Sequence, residues 1–149
     1  MMDDNFYMRA ALELALYAAK EGEVPVGCVI SDSEGKIIGC GRNRREGLGL
    51  STAHAEIEAI NEACRRLGGW RLDGCSLYVT LEPCPMCAGA ILNSRIKRLC
   101  YGAREPNSGS CGSVVNIFME AYGFSPEIYG GIMEAECAGI MRDFFNSIR

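Results

Sequence analysis

The sequence predicts an α/β protein: a three-layer α/β/α sandwich in which a five-stranded mixed sheet carries helices on both faces. Three observations lead there. Short apolar or β-branched runs alternate with longer segments of helical periodicity through the middle of the chain, the pattern of crossover connections between parallel strands. A turn, Asp32-Ser33-Glu34-Gly35, separates two apolar runs and marks an antiparallel hairpin at one edge. Finally, 149 residues without a repeat, a low-complexity stretch or a Pro/Ser-rich linker read as one domain, residues 1–149, around one core.

The elements follow in order. Phe6, Ala10, Leu14, Tyr17 and Ala18 recur at helical spacing between Asp3 and Lys20, with Asp3 and Asp4 available as caps. Gly22-Glu23-Val24-Pro25 ends that helix. Val26 to Ser31 and Lys36 to Gly41 form the hairpin. A second helix is expected from near Ala53 to about Leu67, stopped by Gly68-Gly69. Ser76 to Leu81 is a strand, Pro85 opens a third helix through Ile91, and Arg98 to Gly102 is a strand again. Val114 to Ala121 reads as a short helix, Glu127 to Tyr129 as a short strand and Gly131 to Phe145 as the last helix. The β-α-β-α-β run predicts a mainly parallel sheet beyond the hairpin.

Composition narrows the function classes. The formal net charge is −4, which argues against a non-specific nucleic-acid binder but leaves room for a local basic patch. Arg42, Arg44 and Arg45 cluster, as do Arg95, Lys97 and Arg98, with Arg104 close behind. No secretion signal or membrane-length apolar run is visible, so a soluble cytoplasmic protein is expected. Nine cysteines without an export signal do not suggest disulfides. Cys28, Cys40, Cys64, Cys75, Cys100 and Cys137 read as buried small hydrophobes, and Cys111, in a Gly/Ser loop, as the most exposed thiol. No glycine-rich phosphate loop occurs, so no nucleotide cofactor is implied.

The chemistry concentrates in two short motifs. The only histidine, His54, stands in Thr52-Ala53-His54-Ala55-Glu56, and thirty residues on the chain reads Pro83-Cys84-Pro85-Met86-Cys87. His54, Cys84 and Cys87 offer three zinc ligands. Three leave a coordination position for water, as in catalytic sites, whereas structural sites are closed by four. A zinc knuckle would need another Cys or Cys/His pair at short spacing, which is absent, and a redox Cys pair has no use for His54. His54 and Glu56, two apart, can approach one metal only at the start of a helix. Ser51 or Thr52 as N-cap would put His54 in the first turn, and Cys84 as N-cap before Pro85 would put Cys87 in another first turn. Both helix N-termini would then favour thiolates. Glu56 is the candidate general acid–base that carries protons between water, a ring nitrogen and a departing amine.

These motifs carry a resemblance. H-x-E with P-C-x-x-C resembles the zinc-dependent nucleobase deaminases. The stretch from Leu77 to Ile91, together with Glu23 to Gly27, Gly41 to Arg44, Thr52 to Ile57, Ser94 to Ile96, Tyr101 to Arg104 and Asp143-Phe144-Phe145, resembles the bacterial tRNA-specific adenosine deaminases across nearly the whole chain. The resemblance implies a cytidine deaminase-like fold, one Zn²⁺ per subunit, a homodimer and a tRNA anticodon stem-loop as substrate, the wobble adenosine of an arginine tRNA becoming inosine. It also implies that Asn43 hydrogen-bonds the flipped base and that the Ala55 N–H meets the reacting edge of the ring. Pro25, Val26 and the loop from Arg104 to Ser113, with Glu105 and Ser108, would line the pocket and channel, and Phe145 would contact substrate. The chain departs from that family at Leu50-Ser51, Glu105, Asn107 and a short tail ending in Arg149, all in segments expected to face RNA.

Two alternatives stand beside an RNA adenosine deaminase: a free-base deaminase acting on guanine or cytosine, and a silent subunit that keeps zinc for folding. The intact Glu56 speaks against the last. An RNA substrate further predicts an open pocket whose mouth is rimmed by Arg42, Arg44, Arg45 and Arg104, helped by Arg149 and the last helix.

Overall fold

The computed structural model describes residues 2–148 and has the expected layers. Helix α1 spans Asp4–Lys20, strands β1 and β2 span Gly27–Ser31 and Ile37–Arg42, and a one-turn helix α2 spans Arg45–Leu48. Helix α3 covers Ala55–Leu67, β3 Ser76–Leu81, α4 Pro85–Ser94, β4 Arg98–Ala103, β5 Glu127–Tyr129 and α5 Glu134–Ser147. The strand order is β2-β1-β3-β4-β5.

The sheet is mixed, and beyond the hairpin it is parallel, as expected. β1 runs antiparallel to both β2 and β3, while β3, β4 and β5 are parallel. The hairpin therefore docks against β3 in the reverse sense, which local periodicity cannot signal. Helix α2 was not foreseen: it has neither length nor a buried face. Of the helix expected at Val114 to Ala121 only a single 3₁₀ turn, Ile117–Met119, forms, capped by the Asn116 side chain on the Phe118 N–H. The last helix starts three residues later than expected, because Gly131 takes a positive φ and Met133 is left-handed at the N-cap.

Each helical layer covers its own core. Helices α3 and α4 bury Ala59, Ala63, Ala88 and Ile91 against Ile30, Leu77, Val79 and Leu99. Helices α1 and α5 bury Met8, Ala11 and Cys137 against Val29, Tyr78 and Cys100. Successive strand residues point to opposite faces, so the two clusters take alternate positions of the same strands. Close helix approach depends on glycine: a Cβ at Gly27 would overlap the Ala11 carbonyl oxygen, and one at Gly41 the Ala55 carbonyl oxygen. The second contact seats the start of α3, where the chemistry lies.

The cysteines divide differently from expectation. Cys28, Cys75, Cys100 and Cys137 are buried, Cys64 is half-buried and Cys40 is exposed on the edge strand β2. Cys111 is half-buried against the core, with its thiol pushed up to about 12 by burial.

Candidate metal centre and active site

His54 and Cys84 are both N-caps, of α3 and α4, and neither spends its side chain on capping. Helix α3 thus begins later than the Ser51 or Thr52 cap would require, and His54 precedes its first turn. The extended backbone at His54 (φ −86°, ψ 154°) turns the ring back toward the helix end. Pro85 occupies the first helical position of α4, as expected, and Cys87 lies in that turn. The N-termini of both helices therefore face one point beyond the C-terminal ends of β3 and β4, where open α/β sheets place their ligands.

At that point His54 Nδ1 lies 3.6 Å from Cys84 Sγ and 3.6 Å from Cys87 Sγ. The three candidate ligand atoms fall within 4.8 Å of one another. Tetrahedral zinc, with Zn–N of about 2.0–2.1 Å and Zn–S of about 2.3 Å, requires N···S separations of roughly 3.5 Å. Both N···S separations fit zinc, and the residues form a three-ligand set that leaves one position for water.

The electrostatics suit that use. The Cys84 thiol is pulled down to about 4, first by its hydrogen bond with the Cys87 thiol and then by His54. Cys87 is pushed the other way by the same hydrogen bond and by burial. His54 is shifted upward by its hydrogen bond with Cys84. Glu56, 4 % exposed in the first turn of α3, is raised to about 7 by burial. A carboxyl balanced near neutrality can both take and return a proton.

A cavity of about 180 Å³ opens over these groups. That is below the roughly 300–1,000 Å³ of pockets for drug-sized ligands and suits a single ring system. Val26, Glu105 and Ser108 line it, together with Asn43, Ala55, Val24, Arg45, Leu81 and Glu82. Ala55 is the first residue of α3, and such N–H groups have no intrahelical partner. Asn43 is fixed at both ends of its amide: Nδ2 donates to the Val24 carbonyl (3.2 Å) and Oδ1 accepts from the Arg45 N–H (3.1 Å). Pro25 is buried beneath the wall and does not line the cavity. Phe145 lies in a neighbouring cavity of about 300 Å³, which shares Val24, Asn43 and Arg45 with the first.

The expected ring of arginines is reduced to one. Arg42 pairs with Glu21 (2.7 Å), Arg44 pairs with Glu58 (2.7 Å), and Arg104 is exposed and does not line the cavity. Only Arg45 of the four reaches the pocket. Both partners, Glu21 and Glu58, are distant in sequence from the arginine they hold, so a cluster read along the chain overstated the free charge. Arg149 lies outside the described residues.

Two buried glutamates hold the loops around the cavity. Glu23 accepts the N–H groups of Glu46 (3.0 Å) and Gly47 (2.7 Å), fixing the turn that carries Arg45. Glu82 accepts N–H groups from Glu105, Cys111 and Ser113 and the Ser113 hydroxyl. Burial alone would raise the Glu82 pKa, but these donors together outweigh it and hold the carboxyl below its usual range. Neither role was read in the sequence, although both glutamates stand inside the motifs that carried the resemblance. A carboxylate that later proves to be buried looks like any other until its partners are known.

Comparisons with known proteins agree with this site. Residues 1–103 match the family model of the cytidine and deoxycytidylate deaminase zinc-binding region. The chain is 44% identical to the tRNA-specific adenosine deaminase of Bacillus subtilis, covering 100% of this chain and 92% of that protein. It superposes with a TM-score of 0.87 and 45% identity on a structure from work on A-to-I editing by tRNA:A34 deaminases at the wobble position of transfer RNA, over 91% of this chain and 98% of the other. A guanine deaminase structure from Bacillus subtilis gives a TM-score of 0.66 at 41% identity, over 69% of this chain and 66% of that one. Both the family model and the full-length relatives lead to one assignment: the chain belongs to the zinc-dependent cytidine and deoxycytidylate deaminase family, among its tRNA-specific adenosine deaminases.

Proposed function

We propose that this protein hydrolyses the 6-amino group of adenosine to inosine at the wobble position of a tRNA anticodon, that of an arginine tRNA, and does so in the cytoplasm as a homodimer. The observation that carries the chemistry is the buried Glu56 beside a three-ligand His54/Cys84/Cys87 set under a base-sized cavity. The substrate rests on full-length similarity to tRNA-specific adenosine deaminases.

Zinc bound there supplies an activated water, whose pKa it lowers toward about 7. The protein's own groups do the rest. Glu56 takes the proton of the attacking water and delivers it to the adjacent ring nitrogen. It then takes the second water proton and passes it to the departing amine, so that ammonia leaves and a carbonyl remains. The Ala55 N–H binds the reacting edge, and Asn43, clamped by Val24 and Arg45, orients the base. An anticodon nucleotide must be turned out of its loop to reach this depth.

The dimer reading has a surface to support it. Gly89 and Ala90 on α4 are only half-buried, and Val114, Val115 and Met119, on the segment packed against α4, are 54 %, 52 % and 80 % exposed. Light scattering at micromolar concentration should give twice the chain mass.

Guanine deamination is the second reading, favoured by the similarity to the Bacillus subtilis guanine deaminase. Purified protein with one zinc per chain, assayed on an arginine tRNA anticodon stem-loop, guanine and cytosine, separates the two. Inosine in the stem-loop with inert free bases supports the proposal; rapid guanine turnover with an inert stem-loop overturns it.

A further inference from the structure

One wall of the cavity is built around a single buried carboxylate. Glu82 is 2 % exposed and sits two residues before the ligand Cys84. Its Oε1 accepts the Glu105 N–H at 3.1 Å and the Ser113 hydroxyl; its Oε2 accepts the N–H groups of Cys111 at 2.9 Å and Ser113 at 3.2 Å. The backbone on either side is tied to the same loop: the Glu82 N–H donates to the Ala103 carbonyl, and the Pro83 carbonyl accepts the Ser110 N–H. The loop closes tightly over the carboxylate because position 109 is glycine. A Cβ there would lie 2.5 Å from Glu82 Oε2 and 2.5 Å from the Glu105 carbonyl oxygen. The same loop supplies Glu105 and Ser108 to the cavity lining.

Four donors converging on one acidic group make a strong anchor, since hydrogen bonds to an ionised acceptor are about twice as strong as neutral ones. The anchor spans 23 to 31 residues of sequence, so nothing local replaces it. We propose that Glu82 is a positioning residue: it holds the 105–113 loop as the wall of the pocket and thereby sets the affinity for the nucleic-acid substrate without itself taking part in proton transfer. The inference rests on the RNA substrate proposed above.

The test uses two variants that disturb the same contact from opposite sides. Glu82→Gln keeps one acceptor oxygen but turns an NH₂ group toward backbone N–H groups that are themselves donors. Gly109→Ala keeps the carboxylate and forces the loop off it. Both should retain one zinc per chain and exchange the Glu105, Cys111 and Ser113 amide hydrogens faster than the wild type. Both should raise KM for the anticodon stem-loop by about tenfold, the scale of one lost hydrogen bond to a charged group, with kcat within about twofold. Unchanged KM with only a lower melting temperature would reduce Glu82 to a structural role and overturn the proposal. So would a fall in kcat at constant KM, or loss of zinc. A wild-type enzyme inert on the stem-loop would instead refute the substrate reading; unchanged amide exchange in both variants would even then refute this one.

Discussion

The floor and the rim of the cavity are built by different means. The floor consists of two helix N-termini, with His54, Glu56, Cys84 and Cys87 within three residues of their caps. The rim consists of two connecting segments, residues 43–50 with the one-turn α2 and the loop 104–113, whose conformation depends on carboxylates far away in sequence, Glu23 and Glu82. A helix end orients its side chains by local geometry and meets a ligand with its own free N–H groups. A loop borrows its shape from elsewhere. Chemistry therefore belongs to the floor and substrate choice to the rim, and the two should respond to substitution in separable ways.

The largest effect is expected at the floor. Glu56→Gln is nearly isosteric but cannot shuttle protons. It should keep the fold and one zinc per chain while deamination falls by at least the roughly 10²–10⁴ of a general acid–base. Single-turnover assays beside metal analysis check this; near wild-type turnover would remove Glu56 from the chemistry. Next comes Gly41→Ala. The new methyl would meet the Ala55 carbonyl oxygen and displace the start of α3, which carries His54 and Glu56. Overpacking of this kind costs about 1–3 kcal/mol, so both the melting temperature and the zinc affinity should drop, whereas an exposed glycine such as Gly69 should tolerate the same change.

At the rim the expected effects are smaller and fall on binding. Arg45 is exposed and lines both the first cavity and its neighbour with Phe145. Arg45→Ala should raise KM for the stem-loop several-fold, leave kcat unchanged and flatten the salt dependence of binding by about 0.7 in log–log slope, the value for one single-strand phosphate contact. Arg42→Ala and Arg44→Ala should do less, since Glu21 and Glu58 already hold those charges. Equal salt slopes for all three would restore the wider arginine rim.

The same division explains what could be read in the sequence. The zinc set was legible because its spacing reports local structure: a proline after Cys84 marks a helix start, and H-x-E works only at one. The five strands were legible from β-branched runs between turn residues. Legibility failed wherever the deciding partner was remote. The antiparallel docking of β1 on β3, the pairing of Arg42 and Arg44, the half-burial of Cys111 and the anchoring roles of Glu23 and Glu82 all rest on contacts more than a dozen residues apart. Val114 to Ala121 had helical composition, but its start is held by the Gly109 carbonyl and a bridge between Cys111 and Asn116, which leave one 3₁₀ turn.

The smallest effect is expected at the opposite end of the sheet, where β3 and β4 begin. Asp4 and Arg98 form a bidentate pair at 2.6 and 2.8 Å, joined by the Tyr78 hydroxyl, and Arg98 stacks over Tyr129 at 4.5 Å. The Arg98 hydrogen bond holds Asp4 below its ordinary value of 3.8. A depressed carboxylate stabilises the fold above the unfolded pKa and loses that contribution as pH falls through the lower folded value. Asp4→Asn should thus be less stable than the wild type at neutral pH, and the two should converge below about pH 4. With both side chains about 30 % exposed, solvent screening keeps the difference near 0.2–1 kcal/mol, or about 1–4 °C in Tm. Turnover should not change, because this end of the strands carries no part of the floor or the rim. A loss of activity in Asp4→Asn without a matching loss of stability would show that the two ends are coupled and would break the separation argued above.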